Sequence, residues 1–259
     1  ALRQAKPMAV IWDDHELTND TWREGAQNHQ AEFEGSFTDR IAAASKAYFD
    51  WMPIRRPTQS GARIYRSLDW GDLARIILLD TRHIGRDQQI DYRSVLIPRL
   101  AEGGADAAAI AADFRRILLD DPNRTLLGAD QERWLSEALA QSKNRSQTWQ
   151  IIAQQVIMGE QMYAPGASRF LPESASAGTR QWIAAGEQIG SLGLPWNMDS
   201  WGGYPAARAR LLDACVANAN NAVVLAGDSH NCWLNNIAAP GGGRLAAIEF
   251  AVGSVTTPG

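Results

Sequence analysis

The sequence predicts a mixed α/β fold, and two observations support this prediction. Several short apolar runs have the length and composition of strands that are covered on both faces of a sheet. These runs are residues 8–12, 74–79, 149–157 and 222–226. Longer stretches with apolar residues at helical spacing separate the runs, as in a protein that alternates strands with helices.

The remaining elements follow from local patterns. Residues 63–70 alternate as one strand of a hairpin, and residues 245–252 predict a further strand. Helices are expected over residues 37–49, 100–117, 130–142 and 205–218. The last two have start signals, an N-cap supplied by Gly128-Ala129-Asp130 and a proline at Pro205. Residues 160–203 are rich in glycine, proline and serine, which predicts a structured insertion or lid over a site.

Composition limits the classes of partner. The 259 residues are 45% hydrophobic and 21% charged, as in an ordinary globular protein of one large domain or two small ones. A formal charge of −4 gives no electrostatic reason to expect a nucleic acid or an anionic membrane as partner. No apolar run approaches the roughly 18–20 residues that span a bilayer. Cys215 and Cys232 lack CxxC spacing, which argues against a zinc–cysteine site and leaves a disulfide open.

Both ends of the chain are expected to be incomplete. The sequence lacks an initiator methionine, opens within an expected helix at residues 1–5 and closes on a strand and turn at residues 252–259. No signal peptide is visible. Residues 1–259 are therefore predicted to form part of one domain. The sequence gives no prediction of the oligomeric state.

The most informative feature is a polar cluster directly after the first apolar run, Asp13-Asp14-His15-Glu16. Mutual repulsion would raise the pKa of some of these acids unless a cation lay between them. Carboxylates suit hard cations and histidine suits iron and zinc, so the cluster predicts a metal site. The alternative is a solvated helix start with Asp13 or Asp14 as the N-cap.

Two further polar clusters, residues 80–83 and 227–231, also follow predicted strands. Open α/β sheets place ligands beyond the carboxyl ends of their strands, so the three clusters are expected to converge. Arg82 could bind phosphate in bidentate fashion or form a structural ion pair with an aspartate. Asp228 and His230 could both turn toward a ligand, or the histidine could belong to the core.

Two weaker features leave their alternatives open. The amides of Gln154 and Gln155, at the end of a predicted strand, could orient a substrate or hydrogen-bond the strand terminus. Ten tryptophans could form a sugar-binding surface, but they have no repeated spacing and tryptophan is also a core residue.

In this order, the clusters resemble the PhoD-like alkaline phosphatase family of the calcineurin-like metallophosphoesterases. The resemblance covers nearly the whole chain, and each motif is weak alone. The motifs are Trp12-Asp13-Asp14-His15-Glu16 with Asn19-Asp20, Leu79-Asp80-Thr81-Arg82, residues 127–135, Gln154-Gln155-Val156, Gly227-Asp228-Ser229-His230 and the tail at residues 254–259.

The resemblance implies a metallophosphoesterase-type β-sandwich flanked by helices, in α-β-β-α layers. It implies hydrolysis of phosphate mono- or diesters, with a small phosphate ester as partner and with calcium and iron as the metal ions. It also implies export to the periplasm or the cell exterior.

Particular residues match the family's motifs. Asp14 takes the place of a metal-binding asparagine, and Asp228 and His230 match a later pair of metal ligands. Asp13 is expected to be a ligand or to lie directly behind one. His15 takes the place of a histidine that assists phosphate binding and protonates the leaving group.

Three other residues complete the predicted site. Arg82 is expected to offset charge on the phosphoryl oxygens, and Asn19 and Gln155 are expected to contact the substrate. The family's earlier metal-binding motifs lie upstream of Ala1, so this chain alone is expected to be inactive. The alternatives are a phospholipase-like or nuclease-like diesterase, and a metal-dependent binding protein without catalysis.

Overall fold

The computed structural model describes residues 6–56, 63–102 and 106–253. Six strands form one sheet: β1 (Arg66–Trp70), β2 (Ala74–Leu78), β3 (Trp149–Ala153), β4 (Ala222–Ala226), β5 (Trp233–Ala238) and β6 (Leu245–Ala251). Their order across the sheet is β1-β2-β3-β4-β6-β5. The four central strands are parallel, and the two edge strands pair antiparallel to their neighbours. The predicted mixed α/β fold is confirmed.

Eight α-helices lie in the described part of the chain. They are α1 (Ala31–Glu34), α2 (Phe37–Trp51), α3 (Tyr92–Val95), α4 (Ile97–Ala101), α5 (Ala107–Phe114), α6 (Ala129–Asn144), α7 (Ala177–Ser191) and α8 (Pro205–Asn218). A π-helical turn follows α5 at Arg115–Leu119, and short 3₁₀ turns occupy Ala167–Phe170 and Trp201–Gly203. None of the helices among the described residues combines the length and apolar character needed to cross a bilayer.

The main core lies between one face of the sheet and helices α6 and α8. Ile77, Ile152 and Val224 from adjacent parallel strands pack with Leu135 of α6 and Leu211 of α8, and all five side chains are buried. This burial fixes the sheet against the two helices. It therefore sets the positions of the loops that follow the carboxyl ends of β2 and β4.

The opposite face of the sheet is apolar and less covered. Leu225, Phe250 and Leu234 lie side by side across β4, β6 and β5 and are 39%, 44% and 69% exposed. The described residues contain one sheet, and this face is the one that a second layer of a sandwich would cover.

Two element predictions are corrected. Residues 8–12 are not a strand, because side chains instead of a neighbouring strand hydrogen-bond to their backbone carbonyls. Arg66 donates to the Val10 carbonyl at 2.6 Å, and Gln155 donates to the Trp12 carbonyl at 2.7 Å. Strand β5 went unpredicted. The helix expected at 100–117 begins instead at Ala107.

Several remaining expectations can be placed in the structure. The expected helix at 1–5 and the tail motif at 254–259 lie outside the described residues. Residues 160–203 are structured, with α7 at their centre. Cys215 is buried, Cys232 is exposed, and the two thiols are unpaired.

Candidate functional site

An open pocket of about 540 Å³ lies where the three polar clusters meet. Its lining residues are acidic, amide or imidazole side chains: Asp13, Asp14, His15, Glu16, Asn19, Asp20, Asn197, Asp199, Asp228 and His230. Strand β4 delivers Asp228 and His230 to this pocket, and β2 leads to Arg82 directly behind it. The three clusters converge as predicted, although only the second and third follow strands of the sheet.

The loop at residues 13–16 is held by its own side chains. Asp14 is 3% exposed, and its two carboxylate oxygens accept hydrogen bonds from the backbone amides of His15 at 2.9 Å and Asp20 at 2.8 Å. Glu16 accepts a hydrogen bond from the backbone amide of Asp13 at 2.7 Å. The glutamate therefore shapes the loop, which leaves the two aspartates to face the pocket.

Asp13, Asp14 and Asp228 form a three-carboxylate group. One oxygen from each lies within 4.8 Å of the other two. Carboxylate oxygens at this spacing are the donors that hard divalent cations prefer, so the residues fit the metal that the sequence predicts. Among the described residues His230 is not in this group, although it lines the same pocket.

Arg82 is a buried cation beneath these acids. Its side chain is fully buried and donates from Nε to Asp13 at 2.6 Å, from Nη2 to Asp228 at 2.9 Å and from Nη1 to Asp199 at 2.7 Å. Burial alone would lower the pKa of Arg82, but these carboxylates raise it well above its ordinary value. The geometry is the structural ion pair that the sequence left as an alternative to phosphate binding.

Asp199 joins this network from the segment 160–203. Burial alone would raise the pKa of its carboxyl, but the charges of Arg86 and Arg82 outweigh burial and lower the pKa to about 2. Gln89 also donates to Asp199 at 2.7 Å. The carboxylate therefore stays ionised between two guanidinium groups.

The acids nearest the pocket remain poorly compensated. The pKa of Asp228 rises to about 7 because its burial, together with the charges of Asp13 and Asp199, outweighs Arg82. Burial and the charge of Asp199 also raise the pKa of Asp20. An added cation would relieve this repulsion, which is the electrostatic condition expected of a metal site.

The loop after β4 has an unusual backbone. Asp228 and His230 have φ angles of 60° and 58°, in the left-handed region that residues other than glycine rarely adopt. Conformations of this kind cost roughly 1–3 kcal/mol each and cluster at functional sites. His15 and His230 are both exposed at the pocket, where their imidazoles can reach solvent or a ligand.

The two residues expected to contact substrate have different positions. Asn19 lines the pocket and donates to Gln27 at 2.5 Å. Gln155 is buried: its oxygen accepts from Thr81, and its nitrogen donates to the carbonyls of Trp12 and Leu79. Its amide thus ties the loop after β2 to the acidic loop.

Asp199 is the site residue that the sequence analysis missed. It lies in a segment without regular periodicity, and its partners Arg82 and Arg86 are 117 and 113 positions away in the chain. The available signal was Asn197-Met198-Asp199-Ser200, a polar stretch between two tryptophans in the predicted lid.

Comparisons with known proteins identify the family of the chain. The sequence model of the PhoD-like phosphatase family matches residues 1–259. Alkaline phosphatase D of Bacillus subtilis (strain 168) is 30% identical over 266 residues, which cover 100% of this chain and 37% of that protein. A solved structure described as "Structure of PhoD" superposes with a TM-score of 0.65 at 29% identity, covering 95% of this chain and 40% of the other.

Proposed function

Because the chain belongs to the PhoD-like phosphatase family, we propose that the complete protein hydrolyses phosphate esters in the pocket lined by the acidic loop. The chain spans 37% of the length of the curated relative it matches, so this activity is proposed for the whole protein. The observation that carries the proposal is the group formed by Asp13, Asp14 and Asp228, whose carboxylates lie close together in the pocket.

These three carboxylates are the proposed metal ligands of this chain. Their all-oxygen donor set favours calcium, and His230 is the imidazole that an iron ion would draw on beside them. A bound ion would supply Lewis acidity, drawing charge from a phosphoryl group and favouring ionisation of water.

The exposed imidazole of His15 is the proposed proton donor. It lies on the pocket wall next to Asp14, and its backbone is fixed by the hydrogen bond from its amide to that carboxylate. We propose that His15 protonates the leaving alkoxide, so that the ester oxygen departs as an alcohol. Asn19, on the same wall, is proposed to orient the ester.

Arg82 and Gln155 support the site from behind. The guanidinium of Arg82 hydrogen-bonds to three carboxylates. We therefore propose that it holds Asp13 and Asp228 in place and reduces the repulsion between them. The internal hydrogen bonds of Gln155 suit a role in fixing the distance between the loops that carry Asp13 and Arg82.

The test separates chemistry from metal binding. In the complete protein, His15→Ala is expected to lower kcat for bis(p-nitrophenyl) phosphate at least about 100-fold with metal content unchanged, since general acid catalysis contributes at about this level. Asp14→Asn is expected to lower both metal content and turnover. Asp130→Asn removes an exposed carboxylate outside the pocket and serves as control.

The outcomes distinguish the alternatives. Unchanged turnover in His15→Ala contradicts the role of His15. Full metal occupancy of the unaltered protein without hydrolysis across a panel of mono- and diesters indicates a binding protein. A strong preference for phospholipid or oligonucleotide substrates would identify the more specialised diesterases.

We also propose that the complete protein is exported. The support is its membership of the PhoD-like phosphatase family. The resemblance of its motifs to that family implies export. Cell fractionation followed by immunodetection tests this, and recovery of the mature protein in the cytosolic fraction alone would contradict it.

A further inference from the structure

Asp199 belongs to the segment 160–203 by sequence but to the site by contact. Its side chain is 17% exposed, and one of its oxygens accepts from Nη1 of Arg82 at 2.7 Å. The other oxygen accepts from Arg86 and, at 2.7 Å, from Gln89. One carboxylate thus engages two fully buried guanidinium groups.

The backbone around Asp199 is fixed as firmly as its side chain. Arg86 donates to the Asp199 carbonyl at 2.7 Å, and the Asp199 amide donates to the side chain of Asn197 at 2.9 Å. Arg86 is itself anchored by a 3.0 Å hydrogen bond to the carbonyl of Thr81. Contacts other than the hydrogen bond from Arg82 therefore help to hold Asp199, which also lines the pocket.

Arg82 divides its charge between Asp199 and the acids of the pocket. Nε and Nη2 donate to Asp13 and Asp228, while Nη1 donates to Asp199. If Asp199 lost its charge, the guanidinium would neutralise Asp13 and Asp228 more completely. Those two carboxylates would then attract a metal cation less strongly.

We propose that Asp199 is a positioning residue that draws the charge of Arg82 away from Asp13 and Asp228 and so keeps these carboxylates available to a metal ion. This inference rests on the proposed function, in which these carboxylates bind metal. It also makes the segment 160–203 part of the site's electrostatics, because the residue that balances Arg82 comes from that segment.

The test measures the affinity of the complete protein for Ca²⁺ by isothermal titration calorimetry, alongside kcat and KM. Asp199→Asn is expected to weaken Ca²⁺ binding about tenfold, whereas Asp199→Glu, which keeps the charge, is expected to restore most of it. Asp87→Asn is the matched control, since Asp87 pairs with Arg23 and Thr125 and makes no contact with Arg82 in the described structure.

Arg86→Gln is a second variant, and it is expected to change the affinity for Ca²⁺ in the opposite direction to Asp199→Asn. Removing this cation leaves the charge of Asp199 directed at Arg82 alone, so Ca²⁺ should bind more tightly than in the unaltered protein. If Asp199→Asn does not fold, as judged by circular dichroism, the Arg86→Gln result decides: tighter binding supports the proposal, and unchanged or weaker binding overturns it.

The failures of the two proposals can be told apart. Unaltered protein that binds no Ca²⁺ and hydrolyses no ester refutes the proposed function and, with it, the role of Asp199. Unaltered protein that does both, together with Asp199→Asn that folds and binds Ca²⁺ with unchanged affinity, refutes the role of Asp199 alone. A purely structural role would lower stability without this change in affinity.

Discussion

The ionised carboxyl group of Asp228 destabilises the folded state. Burial comes first among the causes that raise its pKa to about 7, well above the value near 4 of an unfolded aspartate. As pH rises from about 4 to 7, the unfolded chain loses this proton before the folded chain does. The free energy of unfolding therefore falls over this window and levels off above pH 7.

Asp228→Asn is accordingly expected to stabilise the chain at pH 8 in the presence of EDTA. A pKa shift of this size corresponds to at most about 4 kcal/mol, and loss of the charge-assisted hydrogen bond from Arg82 offsets part of it, leaving a gain of about 1–2 kcal/mol. Urea unfolding at pH 8 and pH 4 measures the effect. Equal effects of the substitution at both pH values would show that the carboxyl is not the cause.

The residues of the site differ in how far the sequence reveals them. Asp13, Asp14 and Asp228 all follow apolar runs. Strand β4 brings Asp228 to the site, whereas hydrogen bonds from side chains to the carbonyls of Val10 and Trp12 hold the run before the other two. The ion pairs of Arg82 were one of two open alternatives, because an arginine beside an aspartate fits both. Asp199 was missed, since the polar stretch around it does not reveal that its partners lie more than 100 positions away in the chain.

At the scale of elements, two of the three glycines of helix α7, Gly178 and Gly190, lie in opposite surroundings. A Cβ on Gly190 would lie 2.2 Å from the backbone carbonyl oxygen of Tyr163, whereas a Cβ on Gly178 would meet nothing closer than 3.8 Å. Close packing of the helix backbone on the chain near Tyr163 therefore holds α7 within the segment 160–203.

The two alanine substitutions in α7 should have opposite effects. Gly178→Ala is expected to stabilise the helix by about 0.5 kcal/mol, because alanine loses less backbone entropy than glycine in a helix. Gly190→Ala is expected to destabilise by about 2 kcal/mol or more, because two backbones must separate. Thermal unfolding and hydrogen exchange in α7 measure both; similar values for the two variants would contradict the packing.

The sequence predicts buried elements better than edge elements. Residues 222–226 and 205–218 match β4 and α8 at both ends, because an apolar run and a proline start mark them. Strand β5 lies at the sheet edge, and only its fifth residue, Ile237, is buried. Its sequence therefore lacks the apolar pattern that predicts a strand. Residues 8–12 were apolar enough for a strand, but side chains satisfy their backbone groups.

At the scale of the whole molecule, the row formed by Leu225, Phe250 and Leu234 is exposed apolar surface on the sheet. Contiguous patches of this kind promote association. In the 259-residue chain, Leu234→Thr with Phe250→Thr is expected to reduce self-association in light scattering and to lower the binding of a hydrophobic dye. Phe33→Thr, which removes a lone exposed phenylalanine from α1, is the control and should change both signals less.

The guanidinium of Arg82 also bears on how the chain reaches its folded state. Its three carboxylate partners are 69, 117 and 146 positions away along the chain, so each contact closes a long loop. Closing such loops costs chain entropy before any bond forms, whereas β2 and β4, the parallel strands that precede Arg82 and Asp228, can first be brought together by apolar burial. We therefore expect the pocket to form late in folding, after the sheet has formed, with Arg82 joining three distant parts of the chain.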